Sequence, residues 1–241
     1  MKFKINYLLY LIPLLFFLCI ISQCKKDTEE NIATEDPIAE DLSLTQDEIN
    51  LITSNGEDSS MYITNFWIYE DSLILRAEDK DVDIKDSAML KILKSRMYST
   101  VTDPSHPGVG LAAPQVAINR KACFVQRYDK GGLNHPFEFY LNAKITAYSD
   151  TVKQRQDGCL SIPDPNHEYE NSYRAIWVDV EYDLLDGTHV TEKITQEYTA
   201  HIFQHEIDHL YGIVYLDRMV EQGKCTVLDF IPPKDYVIPI M

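Results

Sequence analysis

The chain has 241 residues, 45% of them hydrophobic and 25% charged, which is enough apolar material for a sizeable core. Thirty-eight acidic residues against 22 Lys and Arg give a formal net charge of −16 at pH 7. A surface of that sign repels phosphate backbones, so non-specific binding to nucleic acid is excluded. Much of the acidity falls between Asp27 and Asp86, away from the motifs described below.

The first residues are expected to form a targeting segment. Lys2 and Lys4 precede an apolar run from Tyr7 to Ile21, about 15 residues, short for a membrane span but right for the hydrophobic region of a signal peptide. The run ends in Ile21-Ser22-Gln23-Cys24, followed by Lys25-Lys26-Asp27, and this junction resembles a bacterial lipoprotein signal. The resemblance implies a signal peptide over residues 1–23 and a lipid on Cys24. The protein would then be exported and held to a membrane, on its periplasmic side or at the cell surface. Gln23 departs from the small residue usual before the cysteine, so a plain signal anchor or a cleaved secretory peptide stays open; Cys19, preceded by Leu18, fits less well. Residues 24–60 are acidic and almost without aromatics, as expected of a flexible tether. Within them Leu44, Ile49 and Ile52 are partly periodic, consistent with a short helix over Leu42–Ile52.

The globular part is expected from near Met61 to the end, residues 61–241. The spacing of Met89, Leu90, Leu93 and Met97 predicts a helix over Ser87–Val101, with Lys91, Lys94 and Arg96 on its outer face. Thr102-Asp103-Pro104-Ser105-His106-Pro107 stops it. Apolar, strand-like runs follow at Ala122–Gln126, Phe137–Leu141 and Ile145–Tyr148. Ile176, Val178, Val180 and Tyr182 alternate with Trp177, Asp179 and Glu181, the period of a half-buried strand. Asp186-Gly187 is a turn signal that returns the chain along His189–Ile194. A helix, several β segments and a second helix define an α+β class. Lys224–Met241, with Pro232, Pro233 and Pro239, reads as an extended tail. Cys123 and Cys225 read as small buried side chains, although export would permit a disulfide between them.

The second helix carries Gln204-His205-Glu206-Ile207-Asp208-His209-Leu210. Thr195 can cap it, Glu197 suits its first turn, Phe203, Ile207 and Leu210 form an apolar stripe, and Gly212 ends it. Positions four apart on a helix lie only ~40° apart around the axis, so His205 and His209 offer two imidazoles to one divalent metal. Glu206 stands beside that face, where a carboxylate can handle the proton of a water. His201 lies one turn earlier, but it and His209 are about 12 Å apart along the axis, too far to share an ion. It therefore reads as a buried, hydrogen-bonded histidine. His106, His135, His167 and His189 lack ligand spacing and read as surface or structural.

Two further stretches supply what the helix lacks. Gly108-Val109-Gly110-Leu111-Ala112-Ala113-Pro114-Gln115 combines small residues, which let another backbone approach, with an amide that can donate to a substrate oxygen. Asp157-Gly158-Cys159-Leu160-Ser161 offers a thiolate, a strong ligand for a borderline divalent metal and a third member for an open site.

These three motifs, in this order, resemble those of peptide deformylases, over about Met61 to Asp217. The segment Glu70-Asp71-Ser72-Leu73-Ile74-Leu75-Arg76 looks like the family's entry segment. The resemblance implies antiparallel sheets packed around a central metal-binding helix. It implies Cys159, His205 and His209 as ligands of one Fe²⁺ or Zn²⁺ ion, and Glu206 as general acid/base. Gln115 and the backbone N–H of Leu160 would stabilise the oxyanion. The implied reaction hydrolyses N-formyl-methionyl peptides to formate and a free α-amine. Asp157 stands where the family usually has glutamate, with Arg174 the matching partner, and His201 where it usually has an apolar residue near the methionine pocket. Asp208 reads as an orienter of a ligand. Two alternatives stay open: an exported zinc peptidase, for which only Asp217 and Glu221 offer a downstream third ligand, and a non-catalytic lipoprotein that binds formyl peptides.

Overall fold

The computed structural model describes residues 42–163 and 170–221; the expected signal segment with Cys24, the loop carrying His167, and the expected tail with Cys225 lie outside them. The chain runs through α1 (Gln46–Ile52), α2 (Tyr69–Leu75), α3 (Ser87–Val101), β1 (Gly110–Ala112), β2 (Ala122–Gln126), β3 (Phe137–Tyr148), β4 (Val152–Asp157), β5 (Glu170–Ala175), β6 (Val178–Asp183), β7 (His189–Ile194), α4 (Glu197–His209) and α5 (Tyr215–Glu221). The main sheet has the order β1-β2-β3-β6-β7, and β4-β5 form a separate pair. Every pairing is antiparallel. The α+β class and the antiparallel sheets around one helix are as expected.

Helix α3 has the expected bounds, and β6 and β7 form the expected hairpin. The two runs at Phe137–Leu141 and Ile145–Tyr148 are one strand, with register shifts against β6 where the runs meet. The pair β4-β5 has no counterpart in the sequence reading, because Val152-Lys153-Gln154-Arg155-Gln156-Asp157 carries almost no apolar alternation. Its first residues face solvent; Lys153 and Arg155 reach Glu197 at the start of α4, and only Asp157 is buried.

Helix α4 is the centre of the molecule. Ala200, Ile202, Phe203, Ile207 and Leu210 pack on Val125, Tyr140, Val178 and Val180 of the main sheet. Its polar row is buried as well: His201, Gln204, His205, Glu206, Asp208 and His209 are all below 9% exposed. Buried polar groups are costly unless bonded, and this row is bonded along most of its length. Gln204 brackets Ala175 of β5, accepting its N–H and donating to its carbonyl, both at 3.0 Å. Gln196 rather than Thr195 is the N-cap, its side chain accepting Thr199 N–H at 2.6 Å. At the other end Asp79 N–H donates to Leu210 O at 3.1 Å. Gly212, at φ 70°, lets the Arg76 carbonyl carbon pass where a Cβ would sit 2.8 Å away.

The expected tether does not extend to residue 60. From residue 42 the chain is folded onto the globular part, with Leu44 and Ile52 buried among Leu90, Leu93 and Met97. Two buried arginines hold this segment. Arg96, expected on the outer face of α3, is 2% exposed, and its guanidinium donates to Leu51 O, Ile52 O and Ser59 O. Arg120 pairs with Glu48 at 2.7 Å and donates to Leu42 O and Ser43 O. The acidic composition hid this, because Glu48 serves as a partner rather than as part of a solvated coat.

Removing residues 42–60 takes away the carbonyls bonded to Arg96, the Glu48 partner of Arg120 and the Leu44 and Ile52 side chains packed on Leu90, Leu93 and Met97, and it opens that part of the core to water. A chain starting at residue 61 should unfold at a clearly lower temperature than one starting at residue 42. Equal melting of the long and short chains in calorimetry would contradict this.

Candidate metal centre

Cys159, just beyond β4, meets His205 and His209 of α4, and their ligand atoms all lie within 4.8 Å of one another. Cys159 Sγ is 3.2 Å from His209 Nε2. Among the described residues this is the one group of three such side chains arranged to hold an ion.

Asp157 organises the site from behind. Its Oδ1 accepts from His205 Nδ1 at 2.7 Å, and its Oδ2 accepts from Ser172 Oγ at 2.8 Å and from Arg174 Nη2 at 3.1 Å. Burial alone would raise the Asp157 pKa, but His205, His201 and Arg174 together hold it well below the usual carboxylate range. A carboxylate can only accept, so His205 carries a proton on Nδ1, and in the neutral ring that leaves the Nε2 lone pair for a ligand bond. Burial works against the charged ring, but Asp157 outweighs it and holds the His205 pKa well above the usual imidazole value, so an ion binding at Nε2 displaces a proton. The expected Asp157–Arg174 contact is present despite the shorter acid. His201 is buried, with Nε2 at 3.4 Å from the same Oδ1, and stands outside the ligand group.

Asp208 does not touch a ligand. It accepts from Arg174 Nη1 and from Arg218 Nη2, both at 2.5 Å, so it steadies the arginine that steadies Asp157. His209 has no such support: its Nδ1 has no partner among the described residues. Burial and the nearby His205 push its pKa down to about 3, which keeps the ring neutral and able to ligate.

Glu206 faces β1. Burial pushes its carboxyl up to about 7, and Oε2 has no partner among the described residues. A carboxyl near neutrality can both take and return a proton. Its space comes from Gly110, where a Cβ would stand 2.6 Å from Glu206 Cδ and 2.8 Å from Cγ. The glycine-rich stretch was expected to admit a backbone, but at Gly110 it admits this side chain. Gln115 lies across the site. Its Oε1 accepts Ala112 N–H at 2.8 Å, so Nε2 is turned to Cys159 Sγ at 3.4 Å and Ser161 Oγ at 3.3 Å. Leu160, half-buried, follows Cys159 in the chain and packs its side chain against the core.

A thiolate and two imidazoles fit one borderline divalent ion with an open position. With a proton-accepting carboxyl and an amide donor alongside, the fold and site define a single-metal hydrolase. Residues 63–224 match the family model described as polypeptide deformylase. The chain is 36% identical over 146 residues to a peptide deformylase of Thermotoga neapolitana, covering 61% of this chain and 81% of that one. It is 34% identical to one from Agrobacterium fabrum over the same length and shares. Among solved structures, a class I type b peptide deformylase from Acinetobacter baumannii with Met-Ala-Ser bound has a TM-score of 0.57 at 30% identity, covering 67% of this chain and 99% of that one. Arabidopsis thaliana peptide deformylase 1B, in complex with an inhibitor, has a TM-score of 0.57 at 33% identity, covering 67% and 83%. The chain belongs to the peptide deformylase family. It is a hydrolase that removes the N-formyl group from peptides. Asp217, a downstream ligand that a zinc peptidase would need, is instead paired with Arg76 and accepts Val214 N–H at 3.0 Å.

Sequence reasoning missed the reach of Asp157 to His205 and the fit of Gly110 to Glu206. Gly110→Ala should leave the metal content and the folded state intact while displacing the Glu206 carboxylate. Formate release is expected to fall about 10²-fold or more, the usual contribution of a positioned acid/base. Unchanged turnover in this variant would contradict the assigned contact.

Proposed function

We propose that Cys159, His205 and His209 hold one divalent ion, Fe²⁺ or Zn²⁺. In this reading Glu206 carries the proton of the reaction, and Gln115 Nε2 with the Leu160 N–H meets the formyl oxygen. When bound, such an ion lowers the pKa of a water and polarises a carbonyl. Glu206 then accepts a proton from the attacking water and returns it to the departing amine. Gln115 and Leu160 donate to the oxygen as its charge grows, in a buried site where such donors count for more than in water. Asp157 keeps His205 in the ligating tautomer throughout. The observation that carries this reading is the convergence of three ligand atoms within 4.8 Å beside the buried Glu206 carboxyl, which burial pushes up to about 7.

The substrate we propose is an N-formyl-methionyl peptide, in keeping with the Met-Ala-Ser bound to the Acinetobacter baumannii relative. We also propose that the chain is exported and anchored through a lipid on Cys24. Lys2, Lys4, the apolar run to Ile21 and the Cys24-Lys25-Lys26 junction support this. An enzyme so placed meets formyl peptides outside the cytoplasm rather than nascent chains. A thiolate-bound Fe²⁺ there is prone to oxidation, which favours zinc or an anaerobic setting.

The test is formate release from formyl-Met-Ala-Ser by the full-length chain in detergent, anaerobically, with Fe²⁺, Ni²⁺ or Zn²⁺. Formate is expected with at least one of them, and stripping the metal with a chelator should abolish it. Stoichiometric metal with no formate in any case would sink the assignment. For the anchor, Cys24→Ser should lose incorporation of labelled fatty acid and leave the membrane pellet. Unchanged labelling in that variant would rule out Cys24 as the lipid site.

A further inference from the structure

Gln115 enters a hydrogen-bond circuit that reaches a residue far from the three motifs, Thr64. Thr64 and Ser161 are fully buried and Gln115 is 2% exposed, so no bulk water competes for their bonds. The direction of each bond follows from the two ends. Gln115 Oε1 faces a backbone N–H, so Nε2 is the donor that meets Ser161 Oγ at 3.3 Å. Ser161 must then spend its own proton elsewhere, and Thr64 Oγ1 lies 3.3 Å away. Thr64, having accepted, donates to a carbonyl: Gln115 O at 3.2 Å, with Pro114 O at 3.4 Å. Thr64 N–H also donates to Gln115 O at 2.9 Å. The circuit starts on the Gln115 side chain and returns to its main chain, and each hydroxyl donates once and accepts once. Phe66 N–H, two residues on, holds Ser161 O at 2.7 Å and so ties the same segment to the chain that carries Leu160.

We propose that Thr64 is a positioning residue for deformylation. Its hydroxyl takes the Ser161 proton and keeps a Ser161 lone pair turned to Gln115 Nε2. One N–H of the amide is thereby pinned, and the other is left aimed at the Cys159 side of the site, where the formyl oxygen arrives. This rests on the reading of Gln115 as the oxyanion donor. Without the Thr64 hydroxyl, the Ser161 proton has lost its acceptor and competes for other directions. The Gln115 amide then samples more than one orientation, and misalignment of an oxyanion donor reads out in kcat rather than in substrate binding.

Thr64→Val keeps the shape and the backbone N–H and removes only the hydroxyl; Thr64→Ser restores it. In full-length protein with one equivalent of metal, Thr64→Val should lower kcat about tenfold with KM within about twofold, a fraction of the loss from deleting a donor outright. Thr64→Ser should return kcat to within about twofold of wild type. In a Gln115→Ala background, Thr64→Val should cost less than about twofold, because the residue acts through Gln115. Solvent exchange of the Gln115 side-chain amide, followed by ¹⁵N NMR, should be slow in wild type and faster in Thr64→Val. Full activity of Thr64→Val, an equally impaired Thr64→Ser, or additive losses in the double variant would overturn the proposal. Should wild type release no formate, the proposed function falls, and the amide exchange still decides: equal rates in wild type and Thr64→Val refute the circuit.

Discussion

The molecule depends on keeping a row of charged and polar side chains buried between α4 and the β4-β5 pair. A carboxylate with no partners could not stay ionised there, yet Asp157 does, because donors from two elements converge on it. His201 and His205 come from α4, and Ser172 and Arg174 from β5. The pairing then continues outward through Arg174 to Asp208 and Arg218, so the signs alternate from the ligand helix to α5. Each charge is compensated by the next, which is the condition for burying any of them. A histidine held with Nδ1 on a carboxylate and Nε2 facing the candidate site is the product of that chain of pairs.

Around this row the rest of the fold acts as restraint. The main sheet takes the apolar stripe of α4, Gln204 binds β5 edge to helix, and the Arg76–Asp79 segment meets its C-terminus through Leu210 and Gly212. The segment from residue 42 braces the opposite face of the core through Arg96 and Arg120. Side chains held this firmly need little reorganisation when a substrate arrives, which is where much of the advantage of a built site lies.

Much of this was legible in the sequence, and the gaps have physical reasons. Helix α3 was readable to its ends because Leu90, Leu93 and Met97 face one core and a proline-containing segment stops it. The ligand helix was readable because His205 and His209 obey helical spacing, and the two flanking motifs came from family resemblance. Strands β4 and β5 were not readable: a two-stranded pair with one wet face needs no apolar alternation. Arg96 was misplaced because a charge on a helix is ordinarily solvated, and only Leu51, Ile52 and Ser59, distant in sequence, make it a buried cap. The segment from residue 42 was read as tether because composition counts its acids without seeing that Glu48 has Arg120 opposite. Thr64 carried no local signal at all, since its partners lie 51 and 97 residues away.

The central claim is that one ion sits between Cys159, His205 and His209. X-ray absorption on the full-length protein loaded with one equivalent of Zn²⁺ tests it most directly. The account predicts one sulfur at about 2.3 Å and two imidazole nitrogens at about 2.0–2.1 Å, with the sulfur shell lost in Cys159→Ser. A first shell of oxygen and nitrogen alone in the wild type, or a sulfur that persists in Cys159→Ser, would contradict it.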